Sequence, residues 1–320
     1  MSVKSATYAH NLSADTGRGI SQAIWGSCPV ADFQQDPSLG QIFWDDFLMT
    51  GNTPSTSGGA YTGSLGQWSY FATQLGVLGT DPNLEGGVIL LSDGGNDDIN
   101  IALTSSAAGV GFQAGSTAYT LYQPIWFECR VALGSVTTAK RDAFIGLTSI
   151  GAPATDNVTG ASTNTLATAP SLFGFHFRST SNPTDVGLAF NVAGGTVQYP
   201  TNLQTLVNTV TGAALAAYSA GTGFVKLGFL YMPYQSQPGG PAELITSASS
   251  GQTAGTLNRA LVRIFVNGMP APAFLTATNV QASTFPASRM SPAIAYCSRS
   301  GTSAGGFYVD WLRLAGTAVA

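Results

Sequence analysis

IWFECRVAL, residues 125–133, decides the fold class, because its side chains alternate between an apolar and a polar set over nine residues. A period of two places alternate side chains on opposite faces of a β-strand. One face of this strand is apolar and the other carries an aromatic ring and two charges, namely Trp126, Glu128 and Arg130. The stretch therefore predicts a strand that packs one face against a core.

Seven further segments carry a short apolar run or the same alternation, and most end at a turn residue. They are 41–49 (QIFWDDFLM), 87–92 (GVILLS), 142–150 (DAFIGLTSI), 172–178 (LFGFHFR), 224–231 (FVKLGFLY), 261–267 (LVRIFVN) and 306–314 (GFYVDWLRL). A weaker strand is predicted at 186–192 and one short helix at 202–210. Gly-, Ser- and Thr-rich loops are predicted near 51–67, 151–170 and 232–258. The pattern predicts an all-β sandwich of two antiparallel layers, formed by residues 41–320.

Residues 1–40 lack this periodicity and contain several Gly and Pro residues. We predict an extended N-terminal arm, with a packed N-terminal strand as the alternative. Its apolar anchors are Ile24, Trp25, Val30 and Phe33. Such side chains must be buried, either on the chain's own domain or on a neighbouring subunit.

The charge content limits the class of partner. Only 9% of the 320 residues are charged, and the formal net charge is −4. The twelve Lys and Arg residues are scattered, which argues against a nucleic-acid partner, and no apolar run is long enough for a membrane span. A surface so poor in charge suits a protein whose faces are covered by neighbours in an assembly. A soluble domain with a bland polar surface is the alternative.

The cysteines and histidines are too few and too dispersed for a metal site or a disulfide framework. The three cysteines, Cys28, Cys129 and Cys297, are predicted to be reduced thiols, and the chain is predicted to use no cofactor.

Five segments in a fixed order give the chain a resemblance to a known fold. They are FWDDF (43–47), WFECRV (126–131), AFIGLT (143–148), VRIFVNG (262–268) and YVDWLRL (308–314). The set resembles the concanavalin A-like (laminin G-like) jelly roll, and in particular the versions found in virion structural proteins of tailed bacteriophages. The resemblance covers residues 41–320, and GRGISQAIWGSCPV (17–30) is also phage-like.

In a jelly roll of this kind the first and last strands lie close together. The resemblance therefore implies that Asp45, Asp46 and Asp310 lie near one another. They would serve as hydrogen-bonded structural aspartates or, alternatively, as a calcium site.

Some proteins of this fold are glycoside hydrolases, which need two carboxylates on either side of the scissile bond. The three glutamates of this chain, Glu85, Glu128 and Glu243, are isolated from one another in the sequence. The hydrolase motif is absent, so the sequence predicts no enzyme.

The polar side chains of the central strands form a candidate ligand or partner face. Its members are Trp126, Glu128, Arg130, His176 and Arg178, with Lys226 on a third strand. If these strands are neighbours, an aromatic ring beside hydrogen-bonding groups is a platform for a sugar. The alternative is a face covered by solvent or by another subunit.

The resemblance, together with the low charge content, implies a phage virion structural protein that decorates or cements the capsid exterior. It would be made in the host cytoplasm and would bind the major capsid protein and copies of itself, with a trimer as the leading arrangement. A carbohydrate-binding adhesin or receptor-binding module is the first alternative, and a glycoside hydrolase is the second.

Overall fold

The structure of the chain is a computed structural model. The described residues are 17–47, 61–65, 67–72, 77–80, 87–92, 99–105, 110–111, 124–135, 141–149, 166–177, 186–200, 203–219, 221–232, 234–236, 242–244, 260–280, 282–286, 289–298 and 306–317.

Nearly all regular structure in this part of the chain is β. The strands are β1 (Gly40–Asp45), β2 (Tyr61–Leu65), β3 (Trp68–Ala72), β4 (Val77–Thr80), β5 (Ile89–Ser92), β6 (Ile99–Ser105), β7 (Val110–Gly111), β8 (Ile125–Leu133), β9 (Arg141–Ser149), β10 (Leu172–Phe177), β11 (Val186–Asn191), β12 (Val225–Tyr231), β13 (Tyr234–Ser236), β14 (Ala242–Leu244), β15 (Ala260–Val266), β16 (Met269–Thr276), β17 (Arg289–Ser298) and β18 (Gly306–Thr317). The helices are short: α1 (Gln22–Trp25), α2 (Val30–Gln35), α3 (Leu206–Thr211) and α4 (Ala277–Val280).

Two eight-stranded antiparallel sheets form the sandwich. Sheet A has the order β16-β15-β12-β8-β18-β5-β4, and β1 pairs with the far half of β18. Sheet B has the order β11-β10-β9-β17-β6-β3-β2, with β7 beside β17. The chain crosses between the sheets repeatedly, as from β8 to β9 and from β17 to β18. The first and last strands are hydrogen-bonded neighbours. The predicted architecture, an all-β sandwich of two antiparallel layers, is confirmed.

The main core lies between the inner faces of the two sheets. The Phe127 and Phe229 rings of sheet A stack with centroids 4.8 Å apart, and Phe173 of sheet B meets Phe229 edge-on at 4.9 Å. All three side chains are fully buried. For β8, β10 and β12, the alternation in the sequence therefore correctly predicts which side chains face the core between the sheets.

The outer faces of the central strands are buried as well, which the alternation does not predict. Every residue of β10, β11 and β12 is buried, and in β8 only Arg130 is partly exposed. Other segments of the chain must therefore cover both outer faces. On sheet A the covering segment is the N-terminal one.

The N-terminal segment differs from the predicted extended arm. Residues 22–25 and 30–35 are helical, and Ile24, Trp25 and Phe33 are buried against the chain's own sheet A, with Val30 partly buried beside them. Helices of four and six residues are too short to show a period of 3.6, and they depend on tertiary packing for stability. Residues 17–35 form a strap over sheet A, and residues 1–16 lie outside the described residues.

Several strands fall where the sequence predicts loops or nothing regular. β2 lies within the predicted loop at 51–67, and β13 and β14 lie within the one at 232–258. β17 is central in sheet B although it contains Pro292. The proline lies opposite Leu147 of β9, and on the other side of β17 it falls in the gap between the stretches that pair with β7 and with β6.

Candidate functional site

The outer face of sheet A brings three of the predicted site residues together. Trp126, Glu128 and Arg130 project from β8, which lies between β12 and β18. Lys226 of β12 lies opposite Arg130, so the predicted contribution of a third strand is present. On the other side, β18 adds Arg313 opposite Glu128.

The strap covers this face and hydrogen-bonds to Glu128. The Ser21 backbone N–H donates to Glu128 Oε2 at 3.0 Å, and the Trp25 indole Nε1–H donates to the same oxygen at 2.9 Å. Glu128 is fully buried as a result. Hydrogen bonds to a carboxylate are stronger than those between neutral groups, so Glu128 is a principal attachment point of the strap.

Two further polar contacts hold the start of the strap. The Lys226 ammonium donates to the Gly19 carbonyl oxygen at 3.0 Å. Asp310 forms ion pairs with Arg130 of β8, at 2.5 Å, and with Arg18 of the strap. Four strap residues thus meet charged side chains on the three strands β8, β12 and β18; they are Arg18, Gly19, Ser21 and Trp25.

Glycines on the sheet provide the space into which the strap fits. A Cβ on Gly228, which lies opposite Glu128, would collide with Ile24 Cδ1. A Cβ on Gly268 would lie 3.0 Å from Ser21 Oγ, and Gly268 also has a φ of +74°, which suits glycine. Ile24 therefore occupies a depression in sheet A that exists because residue 228 has no side chain.

Trp126 lies beneath the strap and is 2% exposed. Its indole Nε1–H donates to Ser27 Oγ at 3.2 Å, and its ring meets Phe33 edge-on with centroids 6.3 Å apart. With the strap in place, Trp126 cannot stack on a sugar. The predicted platform is present as a cluster of residues, but the chain's own residues occupy it.

His176 is not part of this cluster, because β10 belongs to sheet B and is no neighbour of β8. The assumption that these strands are neighbours is wrong. His176 lies on the outer face of sheet B, fully buried, with Nε2 3.2 Å from Asp142 Oδ1 and Nδ1 3.1 Å from the Tyr199 hydroxyl. Arg178 lies outside the described residues.

The three aspartates implied to meet at the joined first and last strands each have separate partners. Asp45 accepts hydrogen bonds from the Phe47 N–H at 2.7 Å and from Trp68 Nε1–H, and Asp46 pairs with Arg313 at 3.3 Å. Asp310 pairs with two arginines, as described above. The aspartates are hydrogen-bonded and ion-paired within the fold. Within the described residues, no group of three His, Cys, Asp or Glu side chains is placed to hold a metal ion.

Four buried polar atoms of the strap and of the outer face of sheet A have no hydrogen-bond partner among the described residues. They are Ser21 Oγ, Glu128 Oε1, Trp311 Nε1 and Arg313 Nε. An unsatisfied buried polar group costs about 1–3 kcal/mol. The strap is therefore held by strong bonds at some points and lies over uncompensated groups at others.

Burial is the largest influence on the pKa of Glu128 and raises it, while the bonds from Ser21 and Trp25 and the Lys226 charge act in the opposite direction. A carboxyl whose folded pKa exceeds its unfolded value binds more protons when folded. The free energy of unfolding then falls as the pH rises above the unfolded value.

We expect this dependence to disappear in Glu128→Gln, which keeps the size of the side chain without the charge. Urea denaturation of both proteins between about pH 4 and pH 7 should show the wild type losing stability relative to the variant as the pH rises. A stability difference that stays constant, or that changes in the opposite direction, would show that ionised Glu128 is well accommodated.

The strap also carries a thiol whose reactivity depends on its burial. Cys28 is partly buried, and desolvation raises the pKa of its thiol from 9.0 to about 12. Cys129 and Cys297 are buried within the sandwich, and all three cysteines are free thiols. Because the thiolate is the reactive form, Cys28 is a built-in reporter of whether the strap is seated.

Sequence analysis finds the sheet half of this site and misses the strap half. The hydrogen bonds made by Gly19, Ser21 and Trp25 are not predicted, because two of them involve backbone atoms that carry no residue-specific signal. The available signal was the apolar set Ile24, Trp25 and Phe33, which had to be buried on some surface.

No helix among the described residues is long and apolar enough to cross a membrane. Beside the strap, Leu39 (51% exposed) and Trp44 (38% exposed) are the large apolar side chains that the described part of the chain leaves open to solvent.

Comparison with known proteins finds structural similarity at low sequence identity. No family model and no curated protein matches the chain. Peanut lectin superposes with a TM-score of 0.44 at 13% identity, covering 87% of this chain and 98% of the lectin. The carbohydrate recognition domain of Emp47p gives 0.43 at 10% identity, covering 87% and 97%. A GH16 protein of the mixed-linkage glucan locus of Bacteroides ovatus gives 0.41 at 11% identity, covering 85% and 99%. At these scores no ligand or activity is transferred from them to this chain.

Proposed function

We propose that the chain is a structural component of a phage virion that decorates the capsid exterior and contacts the major capsid protein and further copies of itself. The observation that carries the proposal is the strap on the outer face of sheet A. A polar and aromatic cluster that could bind a ligand is instead filled by the chain's own residues.

Composition supports an assembly role. A surface with few charged side chains has little electrostatic repulsion between copies, so close contacts with identical neighbours cost little. Leu39 and Trp44 lie close together along the chain beside the strap and add apolar area that a neighbour can cover. The ordered segments that resemble phage virion proteins are the reason for placing this assembly on a phage particle.

The test is addition of the purified protein to capsids assembled without it, followed by sedimentation and electron microscopy. We expect saturable binding to the capsid shell, weakened at least about tenfold by Trp44→Ala. Thr196→Ala, an exposed substitution over the outer face of sheet B, is the matched control and should bind like the wild type. Absence of binding, together with absence of the chain from purified virions, would refute the proposal.

A carbohydrate-binding role is the second candidate, because Trp126, Glu128, Arg130 and Lys226 do meet on one face. Glycan binding there requires the strap to leave. A glycan array with the wild type and Trp126→Ala tests it: binding lost in the variant supports the role, and no binding by the wild type contradicts it. The site offers no support for hydrolysis, since its acidic side chains, Glu128 and Asp310, are buried and engaged by the chain's own donors.

A further inference from the structure

The strap is linked to the sandwich by an exposed turn. α2 ends at Gln35, β1 begins at Gly40, and residues 36–39 between them are all exposed. The turn is held locally: Asp36 Oδ1 accepts hydrogen bonds from the Ser38 N–H at 2.9 Å and from the Ser38 hydroxyl at 2.6 Å. A change of backbone angles in this turn would redirect the strap without disturbing a strand.

The surface on which the strap sits is formed by the sandwich alone. Glu128, Lys226 and Asp310 supply the polar partners, and Gly228 and Gly268 supply the space. Every copy of the chain carries this same surface. A strap from a neighbouring copy would therefore find the same acceptors, donors and depression as it finds on its own body.

The seated strap leaves buried polar atoms without partners, which lowers the free energy needed to detach it. Glu128 Oε1 and Ser21 Oγ are buried where the strap meets sheet A, and both gain water when the strap leaves, which offsets part of the hydrogen bonding that is lost. Segments with such uncompensated groups open at lower free energy than a packed core. Opening is the step that exchange between copies requires.

We propose that the strap of one copy docks on sheet A of a second copy, so that copies are joined by exchange of residues 17–35. Exchange of an identical element reuses the intramolecular contacts and is a low-cost route to oligomers. The inference goes beyond the virion role, because it states how copies join whatever surface they decorate. It commits to a second copy of this chain as the occupant of the outer face of sheet A.

Cysteine cross-linking on the full chain tests the exchange directly. Ser21 of the strap lies against Gly268 of the body, and a Cβ built at residue 268 lies 3.3 Å from Ser21 Cβ, close to the spacing of a disulfide. Ser21→Cys and Gly268→Cys are made as separate proteins, each with Cys28→Ala to remove the strap thiol. The two are mixed at high concentration and then oxidised.

A covalent heterodimer in the mixture, absent from either protein oxidised alone, is the expected result. A doubly substituted chain that oxidises within itself while the mixture gives no heterodimer overturns the proposal. Because Gly268 has a positive φ, a second measurement avoids that position. Native mass spectrometry of the wild type should show oligomers that fall at least about tenfold in Gly228→Val, which blocks the Ile24 depression, and that persist in Gly187→Ala. A monomeric wild type, or oligomers unaffected by Gly228→Val, also overturns it.

Discussion

Gly174→Ala is expected to lower the free energy of unfolding by at least about 3 kcal/mol, at the upper end of what overpacking usually costs. A Cβ at residue 174 would lie 2.5 Å from the Ile145 carbonyl oxygen and 2.7 Å from Gly146 Cα. Both atoms belong to the backbone of β9, so no side chain can turn aside to relieve the contact. The Phe144 ring closes the third side at 2.9 Å.

The effect follows from how two strands are paired in sheet B. Gly174 lies directly opposite Gly146, and the Phe144 ring packs over both. Adding a methyl group must separate β9 from β10 or displace Phe144, which is fully buried. Either change propagates into a close-packed interior, where neighbouring groups have little room to adjust.

Gly187→Ala is the matched control, since it lies on β11, the next strand of the same sheet, opposite His176. A Cβ there would meet its nearest atoms at 3.6 Å or more, which is ordinary van der Waals contact. We expect a change of less than about 1 kcal/mol, measured for both variants by urea denaturation. Equal losses at the two positions would mean that the sheet tolerates no Cβ at either glycine, and that the close approach of β9 and β10 is not the cause.

The strands that sequence analysis places correctly are those that contribute to the core between the sheets. β8 spans the predicted residues 125–133, and β9, β10, β12 and β15 begin or end within one residue of the predicted bounds. Their inner faces carry Val, Ile, Phe and Leu at alternate positions, which is a strong local signal. Sequence analysis does not predict β17, because alanines and a proline give its sequence, RMSPAIAYCS, little β propensity.

Only the part of the candidate site that lies on a single strand could be predicted from the sequence. Trp126, Glu128 and Arg130 share a face because they alternate on β8, which is a local fact. Whether His176 joins them depends on which sheet contains β10, and sheet membership is set by contacts between residues far apart in the chain. The identity of the covering segment is likewise non-local, since Ser21 and Glu128 are separated by more than 100 positions.

The strap changes the role of the polar side chains on the outer face of sheet A. On an exposed sheet, an aromatic ring beside a carboxylate and two cations is a recognition surface for a polar ligand. Under the strap the same groups serve as anchors: Glu128 accepts, Lys226 donates, and Asp310 joins Arg18 to Arg130. The glycan binding and the strap exchange proposed above would therefore compete for one set of side chains, and the free energy of strap release would decide between them.

Glu128→Ala is expected to raise the alkylation rate of Cys28 by about 30-fold, a factor that corresponds to about 2 kcal/mol. The substitution removes the acceptor of the Ser21 N–H and the Trp25 indole N–H. Each such bond to a charged group contributes about 1.5–3 kcal/mol. Part of that sum is offset, because the variant no longer buries a carboxylate, so we take a net value near the cost of one bond.

Cys28 reports the change because its chemistry differs between the two positions of the strap. In the seated strap, desolvation holds the pKa of Cys28 at about 12, against 9.0 for an exposed thiol. Three pKa units reduce the thiolate fraction at neutral pH by about a thousandfold. Alkylation therefore proceeds mainly through the open strap, and its rate follows the opening equilibrium. Mass spectrometry of the protein after timed treatment with iodoacetamide measures the alkylation rate of each cysteine.

Two controls separate strap release from general loss of structure. Cys129 and Cys297 are buried in the sandwich, and their alkylation should remain slow in Glu128→Ala. Glu128→Gln keeps an oxygen acceptor at the same position and should increase the Cys28 rate by less than the alanine variant does. If all three thiols react together, the substitution has unfolded the sandwich. If the Cys28 rate is unchanged, Glu128 does not hold the strap, and the strap must be retained by its apolar contacts with Trp126 and the Gly228 depression alone.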